Sequence, residues 1–374
     1  GLTNLITLNG ANNVTLQGLT FENTGSGWDG GAVALVNSTG DNVVGNLFNN
    51  NDTGVLLNAS NNNVISGNEI DNSVTWGVTV TNGSSNNTVD SNKISGTTLQ
   101  GTGTASAAIS LVNGGSDNAI THNAISNTAG TGILVVTWDP GAGDYNTSDT
   151  IAYNSIINAN SATSGWSSEG GGPTQDAGAI DLGNTPGTDM NITIDNNYID
   201  TLTDPSTGLD VGLYLDEGTS GVTATNNIVV GGNLGFELHG GSNDVLTNNI
   251  FDIGPNTTGS ADGLIQSNPG GAFAFMTGDV VSQNIFESTA TGPTNAYWVI
   301  DGSANVSNNL YYNTNGQPIN TSGVDSNPVS GNPQLANPSG GDFSLSSGSA
   351  ASAIGFQSID QSAIGLAAKT ATWY

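Results

Sequence analysis

Short apolar runs recur along this chain in two alternating phrases. The first places an Asn or Asp before a brief aliphatic stretch and closes on Asn-x-Ile or a close variant: NVVGNLF, NVISGNEI, NTVDSNKI, NAITHNAI, DTIAYNSI, NITIDNNYI, DVLTNNIF, DVVSQNIF and NVSNNLYY. Its key asparagines are read as Asn46, Asn68, Asn92, Asn123, Asn154, Asn197, Asn248, Asn284 and Asn308, and the shortest intervals are 22 and 24 residues (46 to 68, 68 to 92). The second phrase is mostly glycine-led and alternates apolar with polar: GAVALV, GVLLNA, GVTVTN, AAISLV, GILVVT, GAIDLG, GLYLDE and GFELHG. Period-two apolar character predicts strands, and no stretch shows helical periodicity.

A unit of ~20–30 residues carrying two or three short strands predicts a solenoid. Turns rich in Asn and Gly narrow this to an all-β, right-handed parallel β-helix of about eleven or twelve single-stranded coils. Asparagines at equivalent turns would stack as a hydrogen-bonded ladder, which explains why Asn is the polar residue that repeats. The β-helix is expected over residues 1–320. From 321 to 374 the pattern shifts to NPVSGNPQLANPSGGDFSLSSGSAASAIG, an irregular C-terminal tail expected to pack on the solenoid. Longer insertions near 95–106, 139–150, 157–177 and 200–211 cluster mid-solenoid, where loops commonly build a binding cleft. No capping segment precedes the first coil; an uncovered end is an association hazard, so a larger parent chain or self-association is expected.

Alternation also sets a register between coils. With Ala179, Gly212 and Gly235 matched, Ile180, Leu182, Leu213, Leu215, Phe236 and Leu238 point inward. One outward column then holds Ser110, Leu134, Asp181, Tyr214 and Glu237; the next holds Val112, Val136, Gly183, Asp216 and His239. Coils stack ~4.8 Å apart, so Asp216 and His239 are predicted neighbours, and Asp181 and Glu237 flank Tyr214.

Charge changes the picture in one respect. The chain has 31 acidic residues, two lysines (Lys93 and Lys369) and no arginine, for a net charge of -29. Nothing here can neutralise a nucleic-acid backbone or an anionic membrane surface. Uronate polymers would need a bridging divalent cation, whereas neutral glycans fit directly. Cysteine is absent, so disulfides and thiolate metal sites are excluded. No run is long and apolar enough to span a membrane, and a secreted or cell-surface protein is expected.

Paired carboxylates at this spacing suit glycoside cleavage, one protonating the leaving oxygen while the other attacks or activates water. Asp216, Glu237 and Asp181 are therefore the candidate catalytic residues. Tyr214, His239, Glu217, Trp138, Asp139 and Trp166 are candidate substrate contacts, the tryptophans by stacking on sugar rings. The plain alternative is that outward carboxylates are solvated, or hold a structural calcium. No cofactor is required, and calcium is compatible. His122, in ITHNAI, reads as a turn residue.

At GLYLDEG and GFELHGG, and in the tail NPQLANPSGGDFSLSSGSAASAIG, the chain resembles secreted bacterial carbohydrate-active proteins of the pectate-lyase-like β-helix superfamily. GLYLD followed by FELHG is similar to the glycoside hydrolase family 120 β-xylosidase type, with LHGG in place of an NHG-type continuation. That resemblance implies Asp216 as nucleophile and Glu237 as acid/base. Two other readings stay open: a calcium-assisted polysaccharide lyase or epimerase with Tyr214 or His239 as base, and a non-catalytic adhesion or matrix protein.

Overall fold

The computed structural model describes residues 2–25, 30–98, 106–137, 145–161, 175–183, 189–200, 208–232, 234–252, 261–266, 276–300, 303–321 and 323–366. Among the described residues, eleven coils each contribute one strand to each of three parallel sheets, and a last one extends the first and third sheets alone, giving twelve, eleven and twelve strands. Strand n of a sheet pairs only with the strands one coil before and after it, which makes the chain the expected parallel β-helix. First-sheet strands are mostly four to nine residues, as in Thr131–Val136, Gln175–Gly183 and Gly208–Leu215; second- and third-sheet strands are mostly triplets such as Thr193–Asp195 and Tyr198–Asp200.

The triplets explain the first sequence phrase. Only the middle residue of each points inward, so Val43, Ile65, Val89, Ile120, Ile151 and Ile194 form one buried column. Between second and third sheets the chain turns on two residues. The first takes a positive φ (Gly45 62°, Gly67 61°, His122 53°, Tyr153 59°), confirming His122 as a turn residue. The second is an inward asparagine. Its Nδ2 donates to the Oδ1 of its counterpart one coil on and to a main-chain carbonyl one coil back, as Asn154 does to Asn197 (3.0 Å) and to Ile120 O (2.9 Å).

This ladder runs Asn46, Asn68, Asn92, Asn123, Asn154, Asn197, Asn227, Asn249, Asn284 and Asn309, and closes on Asp325. Two expected members are corrected. Asn248 (φ 58°) and Asn308 (φ 55°) are the left-handed residues of their turns, and Asn249 and Asn309 take the ladder positions. Both sites are Asn-Asn doublets, and only the inward position can make the two Nδ2 bonds.

Aromatic rings fill the last coils. Phe251 stacks on Phe286 at 5.3 Å and Phe286 on Tyr311 at 5.3 Å, while the Tyr297 and Tyr311 hydroxyls meet at 2.7 Å. Solenoid pairing continues beyond residue 320, since Val329–Ser330 adds to the third sheet beside Leu310–Asn313. The chain then turns back along the outside of that sheet. Phe343, Ala351, Ile354, Phe356 and Ile359 bury the outward Ile228, Ile250, Ile285 and Leu310, and the return reaches as far as a Gly365 N–H bond to Tyr153 O (2.7 Å).

Candidate functional site

The first sheet builds the site. Its register runs Ser110, Leu134, Asp181, Tyr214, Glu237 and then Leu264 along one outward column. Asp181, Tyr214 and Glu237 thus occupy three successive coils, with Leu at the same position on the coil before and the coil after. Gly212 fixes the middle strand: a Cβ there would lie 2.3 Å from Val229 Cγ1 and 2.6 Å from Gly235 O, so only glycine lets the strand enter this close to the third sheet.

The neighbouring column ends in a hydrogen bond across coils. His239 Nδ1 lies 2.6 Å from Asp216 Oδ1, and the same oxygen accepts the Glu217 N–H at 2.8 Å. Glu217 itself sits at φ +47°, a left-handed conformation costly for a side chain of this kind, so the Asp-Glu-Gly turn is held by its bonds to the coil above. Among these is Gly218 N–H to His239 O at 2.9 Å. Asp181 is anchored locally, its Oδ2 accepting the Gly178 N–H at 3.3 Å.

The environment differs from that of a solvated outer face. Asp181 is 1% exposed, Tyr214 2%, Asp216 3% and Glu237 0%. Outward side chains of this sheet also pack against one another. Trp76, Ala107, Val112, Leu134 and Val136 form one buried cluster outside the core, and Val211, Tyr214 and Leu234 form another. Of the five polar residues, His239 presents the most surface. Trp138, Asp139 and Trp166 lie outside the described residues.

The longer intervals between strands fall, in sequence, where the third sheet passes to the first and where the first passes to the second. Between second and third sheets the two-residue turn is kept throughout, as at 45–46, 153–154 and 308–309. The corners that accept insertions thus border the column holding Asp181, Tyr214 and Glu237.

Sequence reasoning missed a second pair of carboxylates. Asp252 and Glu287 sit opposite each other on paired strands of the third sheet and are both buried. Burial, with Asp252 beside it, pushes the Glu287 carboxyl up to about 7. Their signal was the third residue of the strands IFD and IFES, which alternation alone assigns to solvent. Among the described residues, no three or more His, Cys, Asp or Glu side chains are grouped to hold a metal ion. Lys93 pairs with Glu69 on the third sheet, and Lys369 lies outside the described residues.

Comparisons with known proteins agree with this architecture. The crystal structure of GH136 lacto-N-biosidase from Eubacterium ramulus aligns over 85% of this chain and 60% of that one, at 9% identity and a TM-score of 0.50. The PL6 family alginate lyase AlyGC aligns over 97% of this chain and 55% of that one, at 12% identity and a TM-score of 0.51. The likeness is one of fold. The chain is a parallel β-helix. It spans 60% and 55% of the lengths of those two proteins. A family model described as periplasmic copper-binding protein (NosD) is similar to residues 2–175, under half of the chain. No curated protein matches. No described helix is long and apolar enough to cross a membrane.

Proposed function

We propose that the protein is an extracytoplasmic glycan-active enzyme, a glycoside hydrolase whose working groups are Asp216, Glu237 and Asp181. One observation carries the reading: three carboxylates, a tyrosine and an imidazole gather on three successive coils of the first sheet, between coils that place leucine in the same column. Glu237 protonates the glycosidic oxygen so that the aglycone leaves as an alcohol; either Asp216 attacks the anomeric carbon and water, giving its proton to Glu237, then hydrolyses the ester, or Asp216 takes the proton of an attacking water and solvent exchange restores both groups. His239, donating its Nδ1–H to Asp216, orients that carboxylate. Asp181 lies on the far side of Tyr214 from Glu237, where its charge favours the positive character that develops on the sugar ring. No cofactor enters this scheme.

The substrate is a neutral glycan, because a chain with two basic side chains offers no counter-charge for a uronate. Copper is not carried over from the partly similar family. Residues 2–175 contain no cysteine, no methionine and one histidine, His122, whose Nδ1 is engaged 3.0 Å from Asp90 Oδ1, so the soft-donor or multi-imidazole set that copper favours is missing.

The test is a screen of neutral oligosaccharides and aryl glycosides with wild type, Asp216→Asn and Glu237→Gln. Hydrolysis lost in both variants supports the assignment, and turnover unchanged in Asp216→Asn overturns it. Calcium-dependent eliminative cleavage would replace it with the lyase reading. No turnover on any glycan, together with self-assembly or surface attachment, would replace it with the adhesive one.

A further inference from the structure

A second polar column runs inside the solenoid, at the corner where the first sheet turns into the second. Register places Val14, Asp41, Asn63, Asn87, Asn118, Asp149, Ile192, Val222, Asp244 and Asp279 at equivalent points on successive coils. Through the asparagine segment the column behaves like the main ladder. Asn87 Nδ2 donates to Asn118 Oδ1 (3.1 Å) and to Ser60 O (2.9 Å), and Asn118 Nδ2 to Asp149 Oδ1 (3.1 Å) and to Ser84 O (3.1 Å).

The aspartates break that pattern. Asp149 Oδ1 accepts the Asn118 N–H (2.8 Å), Asp244 Oδ1 the Val222 N–H (2.9 Å), and Asp279 Oδ1 the Asp244 N–H (3.0 Å). In all three, as in Asp41 at the start of the column, where Oδ1 accepts the Val14 N–H (2.8 Å), the second oxygen, Oδ2, is buried and has no hydrogen-bond partner. It occupies the place where asparagine carries its NH2 group. A neutral carboxylic acid has nearly the shape of that amide and presents an O–H there, whereas a carboxylate brings an uncompensated charge into the core.

Position gives this column its meaning. The interruption by Ile192 and Val222 falls on the two coils that carry Asp181, Tyr214 and Asp216, and Asp244 belongs to the coil of Glu237 and His239. Asp149 and Asp244 therefore bracket the two coils that carry Asp181, Tyr214 and Asp216, and Asp244 lies on the coil of Glu237.

We propose that this corner is a proton-held latch behind the site: Asp149, Asp244 and Asp279 stand in the native solenoid as neutral acids, and their ionisation loosens the coils that carry Asp181, Tyr214, Asp216 and Glu237. The latch does not depend on the glycan reading, since it concerns the stability of these coils and not the reaction. Electrostatics agrees with the geometry. Burial raises Asp149 to about 7, opposed by its bonds from Asn118 and reinforced by Asp117. Burial also holds Asp244 well above the usual carboxylate range, with Asp279 and Asp189 adding to the effect, and raises Asp279. No cation is paired with any of the three among the described residues.

The sign follows from linkage. The native state keeps protons that the unfolded chain gives up near pH 3.8, so the stabilisation is complete below that value and is lost as pH rises through the native values, about 7 for Asp149.

Hydrogen exchange and thermal melting of the full chain between pH 5.5 and 8 test this. After correction for intrinsic exchange rates, amides of 193–195, 223–225 and 245–247 should lose protection with rising pH, by up to about tenfold per pH unit for each proton that must leave. Amides of 88–95, on a coil whose column position and both neighbours are asparagine, should not. Asp244→Asn with Asp279→Asn, and Asp149→Asn separately, should flatten that dependence, while Glu287→Gln, which removes another group titrating in this range, should leave it in place. Equal pH response in both sets of amides overturns the latch. So does a wild-type response that persists in the asparagine variants. Where a variant fails to fold, the contrast between the two sets of amides in the wild type still decides for or against the latch.

Discussion

His239 Nδ1 and Asp216 Oδ1 meet at 2.6 Å across two coils, although 23 residues separate them in the chain. The bond joins the ends of two first-sheet strands and helps hold the Asp-Glu-Gly turn in its left-handed conformation. His239→Ala takes a donor from a buried carboxylate and should cost about 1–3 kcal/mol in urea denaturation. His239→Gln, which keeps a donor within reach, should recover part of that loss.

The two kinds of asparagine should respond differently to substitution. Asn154→Ala removes an Nδ2 that makes two buried bonds and an Oδ1 that accepts two, and should destabilise by about 2–5 kcal/mol. Asn62→Gly, at an exposed turn with φ 57°, should fall within about 0.5 kcal/mol of wild type. Chemical denaturation of both variants checks the contrast.

The returning tail should matter through its apolar anchors. Phe343 is buried against Ile228, Ile250, Ile285 and Leu310, with its ring 6.3 Å from that of Tyr198. Phe343→Ala should cost about 3–5 kcal/mol of tail docking. Limited proteolysis should then cut within 331–366 while second-sheet amides keep their protection from exchange.

Glu287 predicts a second pH effect, on the third sheet. Its native value of about 7 lies above the ordinary 4.5, so it stabilises the fold at acidic pH and loses that contribution as pH rises to about 7. Glu287→Gln should raise the melting temperature at pH 8 and leave it nearly unchanged at pH 4.5.

Function has its own expected outcome. Glu237→Gln and Asp216→Asn should each lower glycan hydrolysis by at least about 100-fold while preserving the melting temperature to within a few degrees. Phe286→Leu, remote from the site, should lower stability and spare turnover.

Much of this protein was legible from its residues alone. Alternation fixed which side chains enter the core, and the short repeat fixed which strands stack, so the column of Asp181, Tyr214 and Glu237 and the contact of Asp216 with His239 follow from local rules plus one assumed register. These rules act within a strand or between adjacent coils, and a solenoid has few other contacts. Three matters were decided only by the tertiary structure. In the doublets Asn248-Asn249 and Asn308-Asn309 both residues are chemically alike, and the turn geometry chooses which one enters the ladder. At Asp149, Asp244 and Asp279 the sequence shows an acid where asparagine also serves, and only the tertiary structure shows that its inner oxygen is buried without a partner. Alternation says which way the carboxylates of the site point. It is silent on what lies over them, because burial of an outward face depends on segments far away in the chain.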